Sequence, residues 1–154
     1  ELNENNLRMV RRGMYSVSND RRGTGYRSRI IADGLRMAGK SGTSQVRNIT
    51  AAERAAGVIR NEDLPWERRD HALYVCFAPY EQPKYAVAVV VEHGGGGSKA
   101  AAPIARDVML QALYEGTPPL SAYPKGDRSR IKAQQDRLER ERLKQQQSQG
   151  SDKA

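Results

Sequence analysis

Residues 72–78 (ALYVCFA) and 85–92 (YAVAVVVE) are two apolar runs, joined only by residues 79–84 (PYEQPK). A connection this short allows two strands to pair antiparallel, and it cannot hold the crossover that parallel strands need. Apolar residues occupy both faces of each run, which is typical of strands that are covered on both sides. The sequence therefore predicts an antiparallel hairpin within a sheet that is sandwiched between helices.

A third strand and two helices are predicted upstream of this hairpin. Residues 35–46 (LRMAGKSGTSQV) alternate in the manner of a strand, and residues 2–15 carry apolar side chains at helical spacing. Thr50 is the expected N-cap of a short helix at residues 51–58, with Glu53 at the capping-box position. The predicted fold class is α+β, with a three-stranded antiparallel sheet flanked by helices.

The C-terminal part is predicted to hold one more helix and then a tail. Four glycines at residues 94–97 predict a flexible turn, and Ser98 is the expected cap of a helix that ends before Gly116. Residues 123–154 are charged and glutamine-rich, with almost no apolar side chain to bury, so they are predicted to be disordered. The expected organisation is a domain portion at residues 1–122, followed by this tail.

Composition excludes several classes of protein. No apolar run approaches the roughly 20 residues that span a bilayer. The net charge is +8, but the basic residues are scattered or interleaved with acids and lack aromatic neighbours, so no nucleic-acid partner is expected. The lone Cys76 is predicted to be a buried small hydrophobe, and His71 and His93 are predicted to be structural, with no metal site. Because Glu1 stands where a start methionine would, the chain is expected to be a piece of a longer protein.

Residues 34–41, from Gly34 to Ser41 (GLRMAGKS), match the phosphate-loop pattern G-x-x-x-x-G-K-[ST]. Such a loop follows a buried strand and opens a helix whose first N–H groups hold the phosphates. The residues after Ser41 are poor helix formers, which disfavours this interpretation. A nucleotide-binding protein remains one alternative, and a non-catalytic basic binding module remains another.

The same stretch contains Lys40-Ser41-Gly42-Thr43, which matches the Lys-Thr/Ser-Gly element of penicillin-recognising serine acyltransferases. Further matching blocks lie in order along the chain, at residues 13–15 (GMY), 38–46 (AGKSGTSQV), 64–71 (LPWERRDH), 77–80 (FAPY) and 89–95 (VVVEHGG). On these residues the chain resembles the C-terminal part of the transpeptidase domain of class B penicillin-binding proteins. Within that family it is most similar to the penicillin-binding protein 2 enzymes of cell elongation.

The resemblance implies an acyl-transfer site in which a Ser attacks the D-Ala-D-Ala bond of a peptidoglycan stem peptide. Lys40 would supply positive charge to the substrate carboxylate and to proton transfer, and the hydroxyls of Ser41 and Thr43 would bind that carboxylate. Gly42 would let the substrate or a neighbouring strand approach closely. The backbone N–H of Thr43 would be one of two oxyanion-hole donors. No cofactor is implied.

The other two active-site elements of the family are missing. No Ser-x-Asn occurs, and the one Ser-x-x-Lys, from Ser129 to Lys132, lies in the charged tail. A Lys that activates a Ser must be partly desolvated to lose its proton, and nothing in this tail would desolvate Lys132. The chain is therefore expected to be an inactive fragment of a peptidoglycan D,D-transpeptidase that cross-links stem peptides.

The resemblance also implies partners and a location for the parent protein. The partners would be the peptidoglycan stem peptide, β-lactams and the membrane glycan polymerase of the elongation complex. The parent would work at the periplasmic face of the inner membrane, although no anchor is present in this chain. In the family the last strand pairs with a strand from far upstream, so residues 85–92 are predicted to have an unpaired edge here.

Overall fold

The computed structural model describes residues 3–151. Among these residues there are four α-helices and three strands. The helices are α1 (Glu4–Asn19), α2 (Ala51–Ala56), α3 (Gly97–Tyr114) and α4 (Arg128–Ser151), and the strands are β1 (Ala38–Ser44), β2 (His71–Ala78) and β3 (Tyr85–Val91). None of the helices in this described part is long and apolar enough to cross a membrane.

The three strands form one antiparallel sheet in the order β1-β2-β3. The α+β class and the three antiparallel strands are thus confirmed. Lys84 donates its backbone N–H to the carbonyl of Ala78 at 3.0 Å, which closes the hairpin predicted from its short connection. Within residues 3–151, β3 pairs only with β2, so its outer edge is unpaired, as predicted.

The two faces of the sheet differ in their cover. We call the side of Ala72, Tyr74, Cys76 and Ala78 the closed face, because these residues are buried in one core with Ala101, Ala102, Ala105 and Met109 of α3. We call the side of Leu73, Val75, Phe77 and Val90 the open face, where Val75 is 45% exposed and Val90 62%. The prediction that helices flank the sheet is confirmed, but the cover of the open face is incomplete: Arg11 of α1 lies over the ring of Phe77, whereas Val75 and Val90 stay exposed. Apolar residues on both faces indicate that a strand favours cover, but not which segment supplies it.

The first helix is longer than its apolar spacing predicts. Asn3 caps it by accepting the backbone N–H groups of Asn5 and Asn6. The helix continues to Asn19, whose side-chain amide donates to the carbonyls of Tyr15 and Met37, both at 2.9 Å. This double contact ties the end of α1 to the residue before β1. It places the loop that follows α1 beside β1, which we call the motif strand because it carries Lys40-Ser41-Gly42-Thr43.

The glycine-rich turn before α3 is packed against the sheet. A Cβ at Gly97 would lie 2.2 Å from the carbonyl oxygen of Leu73 and 2.4 Å from that of Gly42. Gly95 is also buried and has a φ of +77°. The helix begins at Gly97, and its N-cap is Gly96, which has no side chain that could cap the helix. The prediction that Ser98 is the cap is therefore wrong. The glycines allow a close backbone approach here, where their composition alone suggested flexibility.

The predicted tail is ordered in its described part. Tyr123 and Ile131 belong to the hydrophobic core, and the fully buried guanidinium of Arg106 forms ion pairs with Asp107 and Asp127. Helix α4 follows within the tail for which disorder was predicted at residues 123–154, and residues 152–154 lie outside the described residues. A few apolar anchors and one buried cation are enough to dock this segment. The division of the chain after residue 122 stays a prediction.

Candidate functional site

The residues of the candidate site lie on β1, at one edge of the sheet. Lys40, Ser41, Gly42 and Thr43 are consecutive strand residues, and β1 pairs only with β2 in the described chain. A phosphate loop would need a helix to begin at Lys40 and Ser41. The nucleotide-binding alternative for residues 34–41 is therefore wrong.

Strand register places the motif side chains on two sides of the sheet. Ser41 is paired with Tyr74 of the closed face, and Lys40 is paired with Val75 of the open face. Because directly opposite residues project to the same face, Ser41 and Thr43 share the closed side and Lys40 lies on the other. The ammonium of Lys40 is exposed and donates to the carbonyl oxygen of Ser41. At an edge strand the long Lys side chain reaches back to the backbone of the motif itself.

The hydroxyl of Ser41 has a partner that sequence analysis missed. Thr24 lies in the loop after α1, and its Oγ1 is 3.0 Å from Oγ of Ser41. Ser41 is half-buried, whereas Thr24 is exposed. The only local signal is that Thr24 stands between two glycines, Gly23 and Gly25, which indicates a turn but not what the turn contacts.

No atom of the structure lies in tight contact with the position that a Gly42 side chain would occupy. A Cβ at this position would meet the Cβ of Leu73 at 3.4 Å, an ordinary van der Waals contact. The tight contact is instead made by Gly97, which lies against the backbone of Gly42. The need for glycine at position 42 to admit a substrate or another strand therefore stays a prediction.

Asp70 holds together the segments that meet at the end of β1. Its carboxylate accepts the backbone N–H of Val46 at 3.3 Å and the side-chain amide of Asn61 at 3.1 Å. Its backbone N–H donates to Asn61 Oδ1 at 2.8 Å, and its carbonyl accepts the N–H of Gly95 at 2.8 Å. The loop after the motif is thus fixed to the glycine turn before α3.

A second contact closes this loop upon itself. Thr50 caps α2 as predicted, by accepting the N–H of Glu53 at 3.2 Å. The Glu53 carboxylate does not complete a capping box. Instead it binds both terminal nitrogens of Arg47 at 2.6 Å, and this hydrogen bonding holds the pKa of the Glu53 carboxyl below its ordinary value.

Both histidines make hydrogen bonds to the backbone. His71 accepts the N–H of His93 on its Nδ1 at 2.9 Å, and Nδ1 of His93 lies 2.9 Å from the carbonyl of Arg69. A carbonyl only accepts, so Nδ1 of His93 is the donor in its contact, while Nδ1 of His71 is the acceptor in its own. Trp66 packs on His93 with ring centroids 4.4 Å apart. Within residues 3–151, no group of three or more His, Cys, Asp or Glu residues is placed to hold a metal ion.

The remaining nucleophile candidates have unsuitable surroundings. Cys76 is buried on the closed face, and burial raises the pKa of its thiol to about 12, so it stays protonated at neutral pH. Lys132 is 62% exposed and donates to both carboxylate oxygens of Asp136. An exposed Lys that is paired with a carboxylate is not desolvated, so Lys132 has no means to activate Ser129.

Comparisons with known proteins agree with this arrangement. The family model of the penicillin binding protein transpeptidase domain matches residues 1–110. The chain is 42% identical over 114 residues to the peptidoglycan D,D-transpeptidase MrdA of Haemophilus influenzae, which covers 74% of this chain and 17% of that protein. It is 39% identical over 101 residues to MrdA of Salmonella typhimurium, covering 66% of this chain and 15% of that protein.

Solved structures give the same result. The PBP2 chain from the Helicobacter pylori complex of PBP2 with MreC matches with a TM-score of 0.56 and 37% identity, over 74% of this chain and 18% of that one. Pseudomonas aeruginosa PBP2 in complex with WCK 5153 matches with a TM-score of 0.52 and 36% identity, over 72% and 20%. The chain thus spans a fifth or less of the length of these proteins. It belongs to the penicillin-binding protein transpeptidase family.

Proposed function

We propose that this chain is the C-terminal part of the transpeptidase domain of a peptidoglycan D,D-transpeptidase of the penicillin-binding protein 2 type. It works within a longer polypeptide that cross-links stem peptides during cell elongation. The observation that carries this proposal is the position of Lys40-Ser41-Gly42-Thr43 on a sheet edge that has no further strand partner within residues 3–151, in a member of this family. A free strand edge offers unpaired N–H and C=O groups to an extended peptide.

The chemistry follows from the types of group on that edge. A stem peptide that ends in D-Ala-D-Ala lies antiparallel along β1, and its terminal carboxylate binds the hydroxyls of Ser41 and Thr43. Lys40 adds positive charge for the carboxylate and for proton transfer. The backbone N–H of Thr43 donates to the oxyanion that forms at the attacked carbonyl, and such a donor lowers the barrier because its position is fixed in advance.

The nucleophilic Ser and the second oxyanion donor come from another part of the polypeptide. Residues 1–154 alone do not acylate, because their one Ser-x-x-Lys has an exposed Lys paired with Asp136. The partners in this proposal are the stem peptide, β-lactams and a membrane glycan polymerase, and the site of action is the periplasmic face of the inner membrane. The relative from Helicobacter pylori is seen with MreC, which makes an MreC-type partner reasonable for the parent protein.

The first test is to sequence the DNA upstream of the Glu1 codon and to express the whole open frame. A frame that carries Ser-x-x-Lys and then Ser-x-Asn is the expected result, and a fluorescent penicillin should label a Ser outside residues 1–154. Lys40→Ala should slow this labelling by about 10²- to 10³-fold, in the range found for lost transition-state contacts. Lys132→Ala is the matched control and should label at the normal rate. A nearby start codon with no such motifs, or equal labelling rates for the two variants, would refute the proposal.

A further inference from the structure

The loop that carries Thr24 is tightly constrained on both sides of this residue. A Cβ at Gly23 would lie 2.2 Å from the carbonyl oxygen of Val17, and a Cβ at Gly25 would lie 2.6 Å from the hydroxyl of Tyr74. The N–H of Gly25 also donates to the carbonyl of Val17 at 2.9 Å. Thr24 is therefore presented by a backbone that is packed on the end of α1 and on the closed face.

The same tyrosine positions Ser41. Tyr74 is the register partner of Ser41 across the β1–β2 pair, and its buried hydroxyl is hydrogen-bonded to Ser18 of α1 at 2.9 Å. The Thr24 loop and the motif strand are thus both built on Tyr74. The 3.0 Å contact between Thr24 Oγ1 and Ser41 Oγ joins a loop that packs on the Tyr74 side chain to the strand that pairs with the Tyr74 backbone.

A carboxylate would set the direction of this hydrogen bond. Each hydroxyl has one proton to donate, and either atom of the pair can be the donor in the free protein. A carboxylate only accepts, so a carboxylate at Ser41 requires the Ser41 proton for itself. Thr24 is then the group that donates to Ser41 Oγ, and a hydrogen bond to the charged carboxylate is stronger than a neutral one.

We propose that Thr24 is a positioning residue, which donates to Ser41 and so directs the Ser41 hydroxyl proton toward the terminal carboxylate of the substrate. This inference rests on the proposed function, because it assumes that Ser41 binds that carboxylate. Thr24 acts through Ser41 and does not itself touch the reacting bond. The part of the substrate that it governs is the free carboxylate at the end of D-Ala-D-Ala.

The test is a titration of the ¹⁵N-labelled whole polypeptide, expressed from the complete open frame that contains residues 1–154, with N-acetyl-D-alanyl-D-alanine and with its C-terminal carboxamide. The measured quantity is the ratio of the two dissociation constants, and the spectrum of each variant shows whether the fold is intact. The wild-type chain should prefer the acid. Thr24→Val keeps the branched shape without the hydroxyl, and it should reduce this preference about three- to tenfold, the worth of one hydrogen bond.

Three further variants separate positioning from a structural effect. Thr24→Ser restores the hydroxyl and should restore the preference. In a Ser41→Ala background, Thr24→Val should change nothing further, because its effect passes through Ser41. Thr117→Val, a matched change at an exposed position in the loop before α4, should leave the preference as in wild type.

The outcomes distinguish the inference from the function on which it rests. A wild-type chain without preference for the acid refutes the carboxylate site on β1 and the role of Thr24 with it. A wild-type preference that survives intact in Thr24→Val overturns the positioning role alone. Equal weakening of acid and amide binding in Thr24→Val also overturns it, because that result describes a residue that only supports the loop.

Discussion

The closed and open faces of the sheet are built from one strand, yet they contribute differently to the fold. Tyr74 and Val75 are neighbours on β2, and both are residues that favour strands. Tyr74 is fully buried under α3 and bonded to Ser18, whereas Val75 is 45% exposed. The closed face therefore contributes most of the packing that stabilises this fold. The open face is covered only in part by the described residues, because Arg11 of α1 lies over Phe77 while Val75 and Val90 stay exposed.

The largest effect should come from the point where α3 meets the closed face. Gly97→Ala places a Cβ against the carbonyl oxygens of Leu73 and Gly42, at 2.2 and 2.4 Å. Both atoms belong to the paired backbones of β1 and β2, so neither moves without disturbing the sheet. We expect the free energy of unfolding in urea to fall by about 3 kcal/mol or more, at the upper end for an overpacked core.

Gly96→Ala is the matched control for this change. A Cβ at Gly96 would have no neighbour within 4 Å, and its φ of −88° suits any residue. Its free energy of unfolding should stay within about 0.5 kcal/mol of wild type. Equal unfolding midpoints for the two alanine variants would show that α3 does not rest on the motif strand as described.

The next largest effect should come from a side chain that packs on the closed face, when it is compared with one on the open face. Met109 of α3 is fully buried in the core, so Met109→Ala should lower the free energy of unfolding by about 2 to 5 kcal/mol. Val75→Ala removes a side chain that is already 45% exposed, and it should lower the free energy of unfolding by less than about 1 kcal/mol. Urea unfolding of both variants measures the difference. A cost for Val75→Ala that matches Met109→Ala would mean that the open face is also buried in solution.

The sequence predicts that the strands pair, but it does not predict which face of the sheet is covered. Strand pairing was predictable because residues 79–84 leave no room for a crossover, and the Thr50 cap was predictable because capping is local. The site strand was predictable from Lys40-Ser41-Gly42-Thr43 and its neighbouring blocks. The signals for strand pairing and for the cap lie within a few residues of the features that they predict.

The missed features depend on contacts between distant parts of the chain. The packing of Gly97 on Gly42 is invisible in a run of glycines, because close approach and flexibility favour the same residue type. The contact of Thr24 with Ser41 exists only once α1 and β1 are placed. The charged tail likewise docks through Arg106, a residue of α3 that pairs with Asp127.

The buried hydroxyl of Tyr74 should make the stability of the fold depend on alkaline pH. Burial raises the pKa of Tyr74 above its ordinary value, so the folded state favours the neutral phenol. This contribution to stability is complete below the unfolded pKa of about 10 and is lost as the pH rises beyond it. The buried thiol of Cys76 acts in the same direction, since its pKa is also raised, to about 12. Wild-type stability should therefore fall at alkaline pH.

Tyr74→Phe isolates the contribution of Tyr74. At pH 7 it should cost about 1 to 3 kcal/mol, because the buried hydroxyl of Ser18 loses its partner. Between pH 8 and about pH 11 it should then lose less stability than wild type. Tyr85→Phe, at a tyrosine that is 42% exposed, is the matched control for removing a phenol hydroxyl from this sheet. Parallel curves for wild type and Tyr74→Phe would contradict the role given to this phenol.

The smallest effect on stability is expected on the open face of β3. Val90 is 62% exposed, so Val90→Lys should change the free energy of unfolding by no more than about 0.5 kcal/mol. The outer edge of β3 has no partner within residues 3–151, and an apolar edge strand pairs readily with another copy. A charge on such a strand opposes that pairing. The average mass by light scattering at high protein concentration should therefore fall toward the monomer in Val90→Lys.

Val89→Lys makes the same change one residue earlier, on the other face. Val89 is paired with Tyr74 and packs against the core. Replacing it with Lys removes these apolar contacts and places a charge beside the core, so the free energy of unfolding should fall by about 1 to 3 kcal/mol. The pair holds strand, edge and added charge constant and varies only the face. Similar costs for the two variants would erase the distinction between the faces. A wild-type chain that is monomeric at every concentration would show that the free edge of β3 does not recruit a second copy.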